Sequence, residues 1–225
     1  MARKTKEEAA ATRQALLDAA LVVFSQKGYA ATRLEDVAAQ ANVTRGAIYW
    51  HFKNKADLYN TLTLEVSTGI QGLVRSVLAG GGTFLEVCRR LMIRLLEYLE
   101  EDEKYRAVQE LMAFKTEVSP ELEEGMQMKR AAIHAAEERI AAAFRQYGIS
   151  SGEVRADLDP AVAARAMLTY VSGISSLWLL DQHAFSLRES APALVDVFIH
   201  GIAANSAAPK GAAPALDLDV DRDAS

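Results

Sequence analysis

Residues 33–52 read RLEDVAAQANVTRGAIYWHF, two short apolar-periodic runs joined by a tight turn. Val37, Val43 and Ile48 fall where two crossing helices need a small apolar core, and Ala38 allows a close crossing. Asn42 stands in the turn, where a positive φ is expected and asparagine is the best substitute for glycine. Thr44 opens the second run; its hydroxyl can cap a helix and also bond a phosphate. This is the layout of a helix-turn-helix, whose second helix lies in the major groove of DNA. The caps and the electropositive start of that helix, with Arg45, Lys53 and Lys55 nearby, favour an anionic backbone.

The flanking sequence keeps the helical period on both sides. The capping box Thr32–Glu35 is expected to start the first short helix, to about residue 40, and Thr44 the second, to about 50. Upstream, a capping box at Thr5–Glu8 starts a helix with Leu16, Leu17, Ala20, Val23 and Phe24 on one face, ended by Gly28. Downstream, Asn54 with Asp57 three residues on starts a long helix that Gly80-Gly81-Gly82 breaks. Further helices are expected at about 84–100 and 104–115, and from Ser119-Pro120 to 147 with Gly148 as the stop. Asp159-Pro160 starts another, to about 180. The last spans about 190–204, its start set by Pro192, which a helix interior does not tolerate. No stretch alternates apolar with polar, so the fold class is all-α with about nine helices. The expected division is a three-helix head over 1–54, a ligand-binding and dimerisation domain over 55–204 and a disordered tail over 205–225.

Charge is unevenly spread. Residues 1–55 hold nine Lys/Arg against five acids, a net of +4, whereas the whole chain carries −5 and the remainder therefore −9. A basic head on an acidic body suits a protein that holds phosphate at one end only. The basic start, Arg3, Lys4 and Lys6, reads either as an arm reaching a groove or as a solvated tail. No apolar stretch follows it, so no secretory leader is expected, and the longest charge-free apolar run, 166–180, is too short for a membrane span. With one cysteine, Cys88, there is no intramolecular disulfide, and a reducing cytoplasm is the expected location. His51, His134, His183 and His200 show no metal-pair spacing, and there is no serine elbow or phosphate-binding glycine loop. Neither a metal, a cofactor nor an enzymatic role is expected.

The stretch ANVTRGAIYWHFKNKADLY, residues 41–59, with the opening ARKTKEEA, resembles the DNA-binding signature of the TetR family and is similar to its AcrR-like branch, the repressors of multidrug efflux pumps. The match covers roughly residues 3–62, departing at Asn42, where the family commonly has glycine. The resemblance implies that Thr44, Tyr49, His51 and Lys55 clamp phosphates while Arg45 and Gly46 face base edges. Arg45 is suited to bidentate contact with guanine. Tyr49 and Trp50 have a second reading as core aromatics, His51 as a helix-end cap, and Arg45 as a solvated charge.

Beyond residue 80 no motif remains, and composition with the family's architecture carries the reading. An apolar pocket for a small hydrophobic effector is expected among Val66, Ile70, Leu91, Leu95, Gln109, Glu110, Ala113, Leu168, Val171, Ser172, Ser175 and Trp178. Each has the alternative of plain core, and Glu110 that of a surface ion pair. The long helix beginning at Lys55 is expected to be the one rigid link between head and pocket. Gly173, Ser175 and Ser176 with Leu194, Val197, Phe198 and Ile202 are expected to form the homodimer face, two helices from each subunit making a four-helix bundle. The resemblance thus implies a dimeric repressor on a palindromic double-stranded operator, released by a drug-like inducer. The alternatives are a family member sensing a lipid or aromatic metabolite, a constitutive DNA-organising protein and, more remotely, a helical enzyme.

Overall fold

The computed structural model describes residues 6–117 and 119–204; the expected tail lies outside them. Among the described residues the elements are α1 (Lys6–Ala31), α2 (Leu34–Gln40), α3 (Arg45–His51), α4 (Lys55–Ala79), α5 (Phe84–Glu101), α6 (Glu103–Phe114), a 3-10 turn (Pro120–Leu122), α7 (Glu123–Ala143), a π turn (Phe144–Ile149), α8 (Pro160–Leu180) and α9 (Leu187–Ile202). No strand occurs among these residues beyond one isolated bridge, Val154 to Ala203.

Most helix starts follow from their caps. Thr44 accepts from the Ala47 N–H at 3.3 Å and Asn54 from the Asp57 N–H at 2.8 Å, while Thr83 and Glu86 form a capping box at α5. Four starts or stops differ from the expectation. Arg33, not Thr32, precedes α2: Asp36 accepts the Arg33 N–H at 3.2 Å, and the buried Thr32 hydroxyl donates back to the Gly28 carbonyl at 2.7 Å. Ser119 caps nothing through its side chain, and Pro120 opens a 3-10 turn before α7 begins. Gly148 lies inside the π turn, and a Cβ there would sit 2.8 Å from Phe84 and Val154; it is a close-approach glycine, not a stop. α9 starts one turn early, because Ser186 caps it and Leu187 is buried, so Pro192 falls inside the helix. One backbone hydrogen bond is lost there, and the buried Leu187, Ala191 and Val195 hold the two turns together.

Two apolar clusters divide the molecule. The first joins α1, α2, α3, the start of α4, Val108 and Leu111 of α6, and Leu122. The second joins α5, the π turn, α8 and α9. Tyr105 packs on the second cluster from the same helix, α6, that enters the first. So α4 is not the one link between the halves; α6 stands in both cores.

Candidate nucleic-acid interface

α2 and α3 cross over the buried Val37, Ala38 and Ile48, with Val43 packed at the edge. Asn42 takes φ 54°, the left-handed conformation that the turn requires, and the Val43 N–H closes the turn onto the Ala38 carbonyl at 3.0 Å. Phe52, 1% exposed, anchors the end of α3, with the Arg13 guanidinium 5.3 Å above its ring. This anchoring turns one face of α3 outward. Thr44, Arg45 and Gly46 are exposed on it, Tyr49 is 48% exposed and Trp50 89%. The core reading of both aromatics is thereby removed. His51 is half-buried, its ring 6.4 Å from that of Phe52.

Two of the expected contact residues are held within the protein. Arg45 pairs with Glu35 of α2 at 2.9 Å on the exposed surface. Lys55 Nζ donates to the carbonyls of Tyr29 and Ala30 at 2.9 and 3.1 Å and lies 4.4 Å from the centre of the Tyr29 ring. Tyr29 in turn donates its backbone N–H to the Lys115 carbonyl at 2.9 Å and its hydroxyl to Glu121 at 3.2 Å. Burial and the neighbouring Glu121 carboxylate raise the Tyr29 hydroxyl well above the usual tyrosine range. Beside Tyr49 and Lys55 opens a groove of about 440 Å³, also lined by Thr32, Arg33, Glu35, Asn54 and Glu121. Sequence reasoning missed Arg33 and Glu121. Arg33, adjacent to a helix start, was findable from the sequence; Glu121 reaches the groove only through the tertiary fold.

The twelve expected pocket residues are distributed over α4, α5, α6 and α8. Val66 lines a cavity of about 180 Å³ with Glu65, Gly69, Tyr98, Asp102, Lys104 and Tyr105. Tyr98 donates to Asp102 at 2.8 Å, and burial with the Asp102 carboxylate pushes its hydroxyl up to about 12. Leu91 and Val171 pack on the second core, and Trp178 is part of it, its indole N–H spent on the Phe185 carbonyl at 2.9 Å. Ile70, Leu95, Gln109, Leu168 and Ser175 are half-buried; Ala113 and Ser172 are exposed. Glu110 pairs with Lys115 at 2.6 Å. Of the expected dimer face, Phe198 and Ile202 are 9% and 7% exposed and belong to the protomer's own core, whereas Val197 is 67% exposed. Leu177 and Leu180 of α8, at 68% and 67%, share that outward character.

Burial, with Glu153 nearby, pushes the Cys88 thiol up to about 12, so it stays protonated. Among the described residues no group of three or more His, Cys, Asp or Glu is placed to hold a metal, and no helix is long and apolar enough to cross a membrane.

Residues 16–62 match the model of the bacterial regulatory proteins of the tetR family, and residues 84–203 that of the C-terminal region of MAATS-type transcriptional repressors. The chain is 36% identical over 200 residues to the transcriptional regulator AcrR of Shigella flexneri, covering 88% of this chain and 93% of that protein. It is 34% identical over 197 residues to TtgR of Pseudomonas putida, covering 87% and 93%. The structure of NalD, the secondary repressor of the MexAB-OprM multidrug efflux pump in Pseudomonas aeruginosa, superposes with a TM-score of 0.80 at 29% identity, over 89% of this chain and all of that one. A complex of SmeT, from Stenotrophomonas maltophilia, with triclosan gives 0.73 at 29%, over 92% and 99%. With both halves matched, and a relative of this identity along most of its length, the chain belongs to the TetR family of bacterial regulatory proteins.

Proposed function

We propose that the protein is a ligand-responsive transcriptional repressor of a multidrug efflux operon. It binds a palindromic operator as a homodimer in the cytoplasm and is released by a small hydrophobic inducer; its work is binding, not catalysis. The observation that carries the reading is the outward face of α3, where Thr44, Arg45, Gly46, Tyr49 and Trp50 stand together, the last 89% exposed. A tryptophan left in water at the tip of a helix-turn-helix has no folding role and fits a surface awaiting a partner. The efflux assignment is supported by NalD and SmeT, each named as the repressor of a multidrug efflux pump. The division into a head over 1–54 and an effector and dimer region over 55–204 belongs to this proposal.

Sequencing DNA that copurifies with the protein, followed by binding to the recovered duplex across salt, tests it. Enrichment of an inverted repeat beside an efflux-pump operon is expected. Six or more phosphate contacts per dimer predict a loss of about 10³-fold in affinity between about 50 and 200 mM salt. Affinity indifferent to salt, or enrichment of no site, would remove the proposal.

A further inference from the structure

The groove beside the reading helix holds a carboxylate that does not come from the head. Glu121 belongs to the 3-10 turn that opens the path to α7, yet it lines the same groove of about 440 Å³ as Arg33, Tyr49, Asn54 and Lys55. The Tyr29 hydroxyl donates to its Oε2 at 3.2 Å, and the ring of that tyrosine carries the Lys55 ammonium on its face at 4.4 Å. Arg33 and Lys55 are the groove's cations and Glu35, paired with Arg45, is its other carboxylate; Tyr49 of α3 lines the same groove. A phosphate entering there meets a fixed like charge delivered by the effector half of the chain.

We infer that Glu121 is an electrostatic brake on DNA binding, an acid that the effector region holds among the cations of the phosphate groove. The inference rests on the DNA-binding reading above. Its seat is built from both halves: Tyr29 is tied by its N–H to the Lys115 carbonyl at the end of α6 and by its hydroxyl to Glu121. A shift of the turn Pro120–Leu122 therefore moves the carboxylate relative to Lys55. Like-charge repulsion across several ångströms of water is modest and screened by salt, so the effect is largest at low ionic strength.

The test is fluorescence anisotropy of a labelled random-sequence duplex with the full-length protein, titrated at about 50 and 300 mM salt. Glu121→Gln removes the charge and keeps an acceptor for the Tyr29 hydroxyl. Affinity is expected to rise about threefold or more at the lower salt, with the gain shrinking at the higher. Glu124→Gln, the same charge change on the exposed start of α7, is the control and is expected to gain less than half as much. Tyr29→Phe unseats the carboxylate; it should change affinity in the Glu121 protein and leave the Glu121→Gln protein unaltered. Equal affinity of Glu121→Gln and the unaltered protein, or an equal gain from Glu124→Gln, overturns the brake. If the unaltered protein binds no duplex at about 50 mM salt, the DNA-binding reading falls and takes the brake with it.

Discussion

Gly46 is the second residue of α3, and a Cβ built on it meets nothing within 4 Å. The fold does not require glycine there. An alanine is the better helix former, so Gly46→Ala should raise stability to unfolding by about 0.5 kcal/mol. The added methyl would stand between backbone and DNA, so operator affinity should fall. A variant that is more stable and binds as well as before would show that α3 does not approach the bases at this residue. Arg45 and Lys55 are expected to separate in a different way. Arg45 is surface-exposed and pairs with Glu35, so Arg45→Ala should spare the fold, cost about 1–3 kcal/mol on the preferred operator and relax one base position. Lys55→Ala also removes the ammonium donor from the Tyr29 and Ala30 carbonyls, so it should lower melting temperature and weaken all DNA sequences alike. Binding site selection with each variant, beside thermal melts, checks both. These residues were legible in the sequence because the turn chemistry around them is local: Asn42 takes its left-handed φ, and Thr44 caps. Thr32 was misread for the opposite reason. Its hydroxyl turns back to Gly28, a choice made by the break in α1.

The helices themselves were legible from period and caps, but the outward side of an apolar helix was not. α9 carries apolar residues on more than one face, and sequence alone does not say which face its own α5 and α8 will cover. Phe198, Ile199 and Ile202 are taken by the protomer core, and Tyr170 lies 5.5 Å from the Phe198 ring. Val197 is left outside, with Leu177 and Leu180 of α8. A symmetric dimer that buries α8 and α9 must therefore use Val197 and not Phe198 as its apolar anchor. Val197→Asp should give a folded monomer whose operator binding is largely lost, since one head alone meets half a palindrome. Phe198→Asp places an unpaired charge in a closed core and should cost several kcal/mol of stability, a folding defect and not a clean monomer. Sedimentation and circular dichroism on the pair distinguish them. If Val197→Asp sediments as an intact dimer, this face is not the interface.

The two cores explain how an event in the body can reach the head. α6 sends Val108 and Leu111 into the first cluster while Tyr105 packs on the second, and the residues that follow it reach α1 and α4: the Tyr29 N–H donates to the Lys115 carbonyl, and the Tyr59 hydroxyl pairs with the Thr116 hydroxyl at 3.0 Å. α4 starts beside the DNA face and runs past the cavity at Val66 and Gly69, where the Tyr98 hydroxyl lies 3.0 Å from the place of a Gly69 Cβ. Both helices are thus packed too closely to move alone, and a ligand that spreads α4 from α5 has to shift the head as well. Two heads on one palindrome fix their separation, so a shift of a few ångströms sacrifices one half-site. Induction is then a coupling free energy of about 1–3 kcal/mol per ligand, and linkage makes it reciprocal: the factor by which ligand weakens operator binding equals the factor by which operator weakens ligand binding. Isothermal titration of a panel of small apolar compounds, with and without saturating operator, gives one factor; operator titration with and without the same compound gives the other. Equal factors between about five and 150 are expected for a true inducer. Gly69→Ala brings a methyl to 3.0 Å from the Tyr98 hydroxyl, the tip of a side chain that yields by a few tenths of an ångström, so it should weaken operator binding slightly in the same direction and leave a slightly smaller factor for the ligand to exert. A compound that binds tightly yet is indifferent to operator is not the inducer, and if Gly69→Ala left both factors unchanged, the α4–α5 contact would not be part of the switch.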